Sequence, residues 1–127
     1  MENKKHVSAL HSERKEWLNT LQFFKDDIQS LQNRLEEIVK ANTKKEMTAL
    51  VESYQNQFIR QLEVNDELRH KINAAEVAFA SEESKNPVAT DHKLAPDHVE
   101  LRDEVDTYCN LFKALRDGFN TFASKVL

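Results

Sequence analysis

The sequence has very few of the residues that end helices or form turns: 127 residues contain one glycine and two prolines. Sandwiches and barrels of β-strands need frequent turns, so this scarcity argues against them and favours long helices. The single cysteine, Cys109, excludes an internal disulfide. No apolar run has the length of a membrane span or of a signal-peptide core. We therefore expect a cytoplasmic helical protein.

The chain also has no strong excess of one charge. It contains 22 acidic and 18 basic residues, which gives a formal net charge of −4, and both signs are spread along its length. A nucleic-acid-binding surface needs clustered basic residues, and so does binding to an anionic membrane. The charge pattern therefore predicts neither nucleic acid nor a membrane as a partner.

What the sequence does have is a repeated apolar spacing. Apolar residues recur at alternating steps of four and three within 17–38, 47–79 and 101–126. A mean step of about 3.5 residues keeps one stripe of a helix against a partner helix, as in coiled coils. The spacing predicts an all-α fold of three long helices with coiled-coil-like packing.

Breaks in the spacing predict where the helices begin and end. Thr43 and Glu46 match a capping box, and the periodicity disappears over 81–97, which contains both prolines. We expect helices over about 8–40, 44–80 and 98–125, with a linker over 81–97. The break after residue 41 is too short for a crossover, so the first two helices must form an antiparallel hairpin. The whole chain, 1–127, is then a single antiparallel up-down-up three-helix bundle.

The predicted register leaves one end of the hairpin uncovered. If Ile38 lies opposite Met47 and Phe79 lies near Leu101, the third helix ends level with Gln32. Apolar residues beyond that level would form a surface that joins a second copy by two-fold symmetry. The candidate interface residues are Leu35, Ile38, Val39, Met47, Leu50 and Val51.

Three polar residues, Arg14, Gln61 and Asn65, occupy positions where the spacing predicts apolar ones. Buried polar residues in such a stripe often fix the register between helices. For the two amides we favour a different arrangement, in which Leu62 turns inward and Gln61 and Asn65 sit at the edge of the stripe. An alternative is that Gln61 and Asn65 form the polar wall of a small-molecule or metal site. Di-iron bundles need two Glu-x-x-His motifs, and this chain has one, at Glu67 and His70. Both residues should point away from the apolar stripe, so we predict no metal site.

No catalytic arrangement is recognisable in the sequence. It contains no glycine-rich phosphate loop and no zinc-type cluster. Cys109 lies near Asp106, whose charge should raise the thiol pKa rather than lower it. We therefore expect a non-enzymatic interaction or scaffolding bundle without a cofactor, which binds itself or another helical protein.

Three antiparallel helices with Trp17 in the stripe of the first resemble a spectrin-type repeat. The resemblance depends on Trp17 and the apolar spacing alone and implies a three-helix fold. The third predicted helix lacks a second tryptophan, and the predicted second linker is longer than in such repeats. No cytoskeletal role is therefore carried over.

Overall fold

The computed structural model describes the backbone of residues 2–42, 45–85 and 87–127, and the side chains of 8–42, 47–82, 85 and 94–127. The described residues form three helices, α1 (Glu2–Ala41), α2 (Lys45–Lys85) and α3 (Pro87–Val126). Every helix contacts the other two. The prediction of an antiparallel up-down-up three-helix bundle is confirmed. None of the helices, over the part described, is both long and apolar enough to cross a bilayer.

The core consists of the apolar stripes that the spacing predicted. Burial of a large apolar side chain contributes about 1.5–3 kcal/mol to folding, so these stripes supply most of the driving force. Aromatic rings connect the helices, with Phe24 and Phe112 at a centroid distance of 4.5 Å and Phe58 and Phe119 at 5.2 Å. The fully buried apolar residues include Leu21, Ile28, Ile38, Phe58, Ile72, Phe112, Phe119 and Ala123.

The structure corrects the predicted linker over 81–97. Helix α2 continues to Lys85 and α3 begins at Pro87, so the segment is helical on both sides of residue 86. Proline suits the first position of a helix, because the amide that it lacks would have no partner there. Pro96 lies inside α3 at a solvent-exposed position, where a missing hydrogen bond is tolerated more readily than in the core. The predicted capping box of Thr43 and Glu46 lies outside the residues whose side chains are described.

The register of α3 also differs from the prediction. Phe79 packs against His98, with ring centroids 6.3 Å apart, which shifts α3 along the hairpin. At the other end of the bundle, Asn42 Nδ2 donates to the carbonyl oxygen of Val126 at 3.4 Å. Helix α3 therefore reaches the level of Asn42, about 15 Å beyond the predicted level of Gln32. The expectation that the end of the hairpin lacks a third helix is wrong.

Candidate functional site

The longer reach of α3 changes the status of the six candidate interface residues. Leu35 and Ile38, at 5% and 0% exposure, belong to the core and cannot form a contact surface by themselves. Met47 and Val51 are half-buried and pack against the same core. The remaining two, Val39 and Leu50, are exposed at 48% and 44%.

A groove between α1 and α2 lies beside Val39. It has a volume of about 480 Å³, and its apolar wall consists of Leu35, Val39 and Val51. Leu50 and Met47 are not part of this wall. We call it the α1–α2 groove. It contains three of the six candidate interface residues, Leu35, Val39 and Val51, and it lies on the side of the hairpin rather than at its end. Its polar rim consists of Gln32, Asn33, Glu36, Lys40 and Gln55.

Asn65 is completely buried at the centre of the bundle. Its Nδ2 donates to the carbonyl oxygen of Leu21 at 2.8 Å and to the hydroxyl of Tyr108 at 3.0 Å, which connects α2 to both other helices. Burial raises the pKa of Tyr108, so its hydroxyl stays protonated at neutral pH. Sliding of α2 by a turn would break both hydrogen bonds, and sliding of α1 or α3 would break one of them. These contacts support the interpretation that Asn65 fixes the register, and the expectation that its amide sits at the edge of the stripe is wrong.

Gln61 has a different environment from Asn65. It lies in the wall of a groove between α2 and α3, together with Val64 and Leu111. Its Oε1 atom is shielded from solvent and has no hydrogen-bond partner among the described residues, and the same holds for Asn65 Oδ1. Asn65 is not part of that wall. The two amides therefore do not face one common cavity.

A buried ionic network lies at the end of the bundle away from the α1–α2 groove. Arg14 is 1% exposed, and its guanidinium lies 4.0 Å from the centre of the Phe79 ring. Arg14 Nε donates to Glu76 Oε1, and Nη1 lies 3.1 Å from His98 Nδ1. Because Arg14 contacts the Glu76 carboxylate, the His98 ring and the Phe79 ring, the chain buries this cation together with partners.

His98, which the sequence analysis did not single out, is the centre of this network. It is 1% exposed and stacks on Trp17 at a centroid distance of 4.8 Å. Since an arginine only donates, Nδ1 of His98 must accept from Arg14, and Nε2–H donates to Glu13 Oε1 at 2.5 Å. The imidazole is therefore neutral. Its position three residues before Leu101 continues the apolar stripe of α3, and this signal could have identified it.

The carboxylate of Glu13 completes the network. Arg102 donates to its two oxygens at 2.9 and 2.7 Å. These hydrogen bonds, together with the one from His98, lower the pKa of Glu13 from 4.5 to about 2, against the opposing effect of burial. Burial lowers the pKa of His98, while its contact with Glu13 opposes that shift. The network thus clamps α1 to α3.

The remaining candidate groups lie on the outer surface or offer little reactivity. Glu67 and His70 are exposed, as the spacing predicted. Within the described part of the chain, no group of three or more His, Cys, Asp or Glu side chains could hold a metal ion. Cys109 is half-buried, and both burial and Asp106 raise its thiol pKa. A raised pKa leaves little thiolate at neutral pH.

Comparisons of the chain with protein-family models, with curated proteins and with solved structures find no match. The grooves and the ionic network are therefore the observations from which a function must be argued.

Proposed function

We propose that this chain is a cytoplasmic, non-enzymatic interaction module that self-associates through the α1–α2 groove. The observation that carries the proposal is the exposure of Val39, at 48%, beside the apolar wall formed by Leu35 and Val51. A contiguous exposed apolar patch is typical of a contact surface, and Val39 extends the apolar wall of the groove. A second helix could place its own apolar side chain in the groove and cover Val39 in return.

The charges on the rim favour a second copy of the chain as the occupant. Glu36 and Lys40 lie one helical turn apart on α1. A two-fold axis that pairs α1 with α1 of a second copy in antiparallel orientation brings each Glu36 against a Lys40. Such a contact is self-complementary, as a symmetric dimer requires.

The size of the surface predicts a weak association. Its apolar part is a few side chains, whereas stable interfaces bury about 800 Å² on each partner. We therefore expect a dimer that forms at micromolar concentration and dissociates on dilution.

Sedimentation velocity over a range of protein concentrations tests this proposal. The wild type should show a rising sedimentation coefficient, and Val39→Glu should remain monomeric because it buries a charge in the contact. Val77→Glu is the matched control, since Val77 is another exposed valine, at 70%, outside the groove. A wild type that stays monomeric at high micromolar concentration would overturn the proposal, and so would equal effects of the two variants.

The alternative of a small-molecule or metal-binding bundle near Gln61 and Asn65 has less support. The amide nitrogen of Asn65 is already bonded to Tyr108 and to the backbone of Leu21. A ligand at Asn65 would have to enter the centre of a packed core.

A further inference from the structure

A second groove runs between α2 and α3, on a different helix pair from the α1–α2 groove. It consists of two cavities of about 390 and 400 Å³, which share Lys71, Glu100 and Glu104 in their walls. On α2 it extends over residues 60–79. At about 1.5 Å per residue this is a length of about 28 Å, which matches a helix of about 18 or 19 residues. We call it the α2–α3 groove.

The wall of the α2–α3 groove is apolar and leaves room for incoming side chains. One half contains Ala74, Ala75 and Ala78, whose small side chains leave space beside Phe79 and Leu101. The other half contains Val64, Leu68, Tyr108 and Leu111. Leu111 is 58% exposed and offers an apolar contact at the edge of the groove.

The rim of the α2–α3 groove is acidic. Five carboxylates and two cationic groups line it, a net charge of −3. The cationic groups are already paired, since Lys71 lies 3.0 Å from Glu104, and Arg60 lies 3.0 Å from Glu63 and 3.8 Å from Glu67. The other three lining carboxylates have no ion-pair partner among the described side chains, and all three are on α3: Asp97, Glu100 and Asp103.

We propose that the α2–α3 groove binds a basic amphipathic helix of a partner protein, which packs as a fourth helix on the bundle. The apolar stripe of that helix would lie on the alanine, valine and leucine side chains, and its flanking Lys or Arg residues would pair with Asp97, Glu100 and Asp103. Length, apolar wall and charge all agree with this occupant. The acidic rim repels a phosphate backbone, and a two-fold contact between two such grooves would bring two acidic rims together.

The proposal is tested with a fluorescein-labelled helical peptide of about 18 residues that carries leucines at i, i+3, i+4 and i+7 and lysines on both flanks. A control peptide has glutamates in place of the lysines. Fluorescence anisotropy should show binding of the basic peptide and not of the acidic one. Added salt should weaken the binding because it screens the rim charges.

Matched variants test whether the peptide lies in the α2–α3 groove. Asp103→Lys should weaken binding about tenfold, whereas Asp106→Lys, at another exposed aspartate of α3 outside the groove, should change it less than about twofold. Leu111→Glu, within the groove, should also weaken binding about tenfold. Val99→Glu, at an exposed position outside the groove, should change binding less than about twofold. Circular dichroism confirms that each variant remains folded.

This inference would be overturned by no binding of the basic peptide, by equal binding of both peptides, or by equal effects of Asp103→Lys and Asp106→Lys. Loss of self-association in Asp103→Lys would also overturn it, because it would assign the groove to a second copy. Since this groove does not depend on the α1–α2 groove, Val39→Glu should bind the basic peptide as the wild type does. The two proposals can therefore fail independently.

Discussion

Replacement of Glu13 by glutamine should destabilise the bundle at neutral pH and destabilise it less in acid. The carboxylate of Glu13 accepts hydrogen bonds from His98 on one oxygen and from Arg102 on both. A glutamine side chain keeps the size of Glu13 but loses the charge and one acceptor. Charge-assisted hydrogen bonds are about twice as strong as neutral ones, so the contact between α1 and α3 should weaken.

The magnitude follows from the pKa of Glu13. The fall in pKa from 4.5 to about 2 corresponds to about 3 kcal/mol at about 1.4 kcal/mol per unit. Because 30% of the Glu13 side chain is exposed, solvent screening reduces this to roughly 1.5 kcal/mol. The folded-state pKa is lowered, so this stability is fully present above pH 4.5. It is lost as the pH falls from there towards about 2, mostly by about pH 3.

Urea unfolding followed by circular dichroism at neutral pH and near pH 3 measures the effect. The free energy of unfolding of Glu13→Gln should lie about 1.5 kcal/mol below that of the wild type at pH 7, and the difference should fall to less than about half of that near pH 3. Glu37→Gln, at an exposed position of the same helix, should change the stability by less than about 0.5 kcal/mol. A difference between Glu13→Gln and the wild type that is the same at both pH values would refute the reasoning.

Three further predictions concern His98, Asn65 and Gly118. Because burial lowers the pKa of His98 below its ordinary value of 6.5, stability should fall as the pH drops below about 6.5; urea unfolding of His98→Gln at pH 5 and 7 should lack this loss. Asn65→Ala should destabilise the bundle by about 1–3 kcal/mol because it leaves the Tyr108 hydroxyl unpaired, and in thermal unfolding Tyr108→Phe should then add little. Gly118→Ala should stabilise α3 by about 0.5–1 kcal/mol, since the new Cβ would meet only the Tyr54 hydroxyl at 3.9 Å; an unchanged or lower midpoint in urea would contradict this.

The apolar spacing was enough to predict the three helices and most of the core. Stripe residues such as Leu21, Phe58 and Phe112 are buried as their positions indicated, because an amphipathic helix has only one face that it can bury. The prediction of a linker over 81–97, which depends on the two prolines there, is wrong. One of them begins α3 and the other lies on its exposed side, and sequence alone does not distinguish these positions from helix-breaking ones.

The error over 81–97 determined the error in the candidate interface. Only residue 86 separates α2 from α3, whereas a linker over 81–97 would hold the two helices further out of register. In the observed register α3 reaches Asn42, so Leu35 and Ile38 are core residues. Val39 stayed on the surface, because its position next to the stripe does not depend on where α3 ends. The sequence shows that Arg14 and Asn65 are polar residues in the apolar stripe, but it does not show which residues they contact.

The sequence by itself determined that this chain forms three amphipathic helices, because helix propensity and apolar spacing are local properties. Only the tertiary structure decided how far the helices overlap, since overlap depends on contacts between residues that are distant in sequence. Arg14, Glu76 and His98 form one network for the same reason. The grooves also belong to the tertiary structure, since each is formed by side chains of two helices in one particular register.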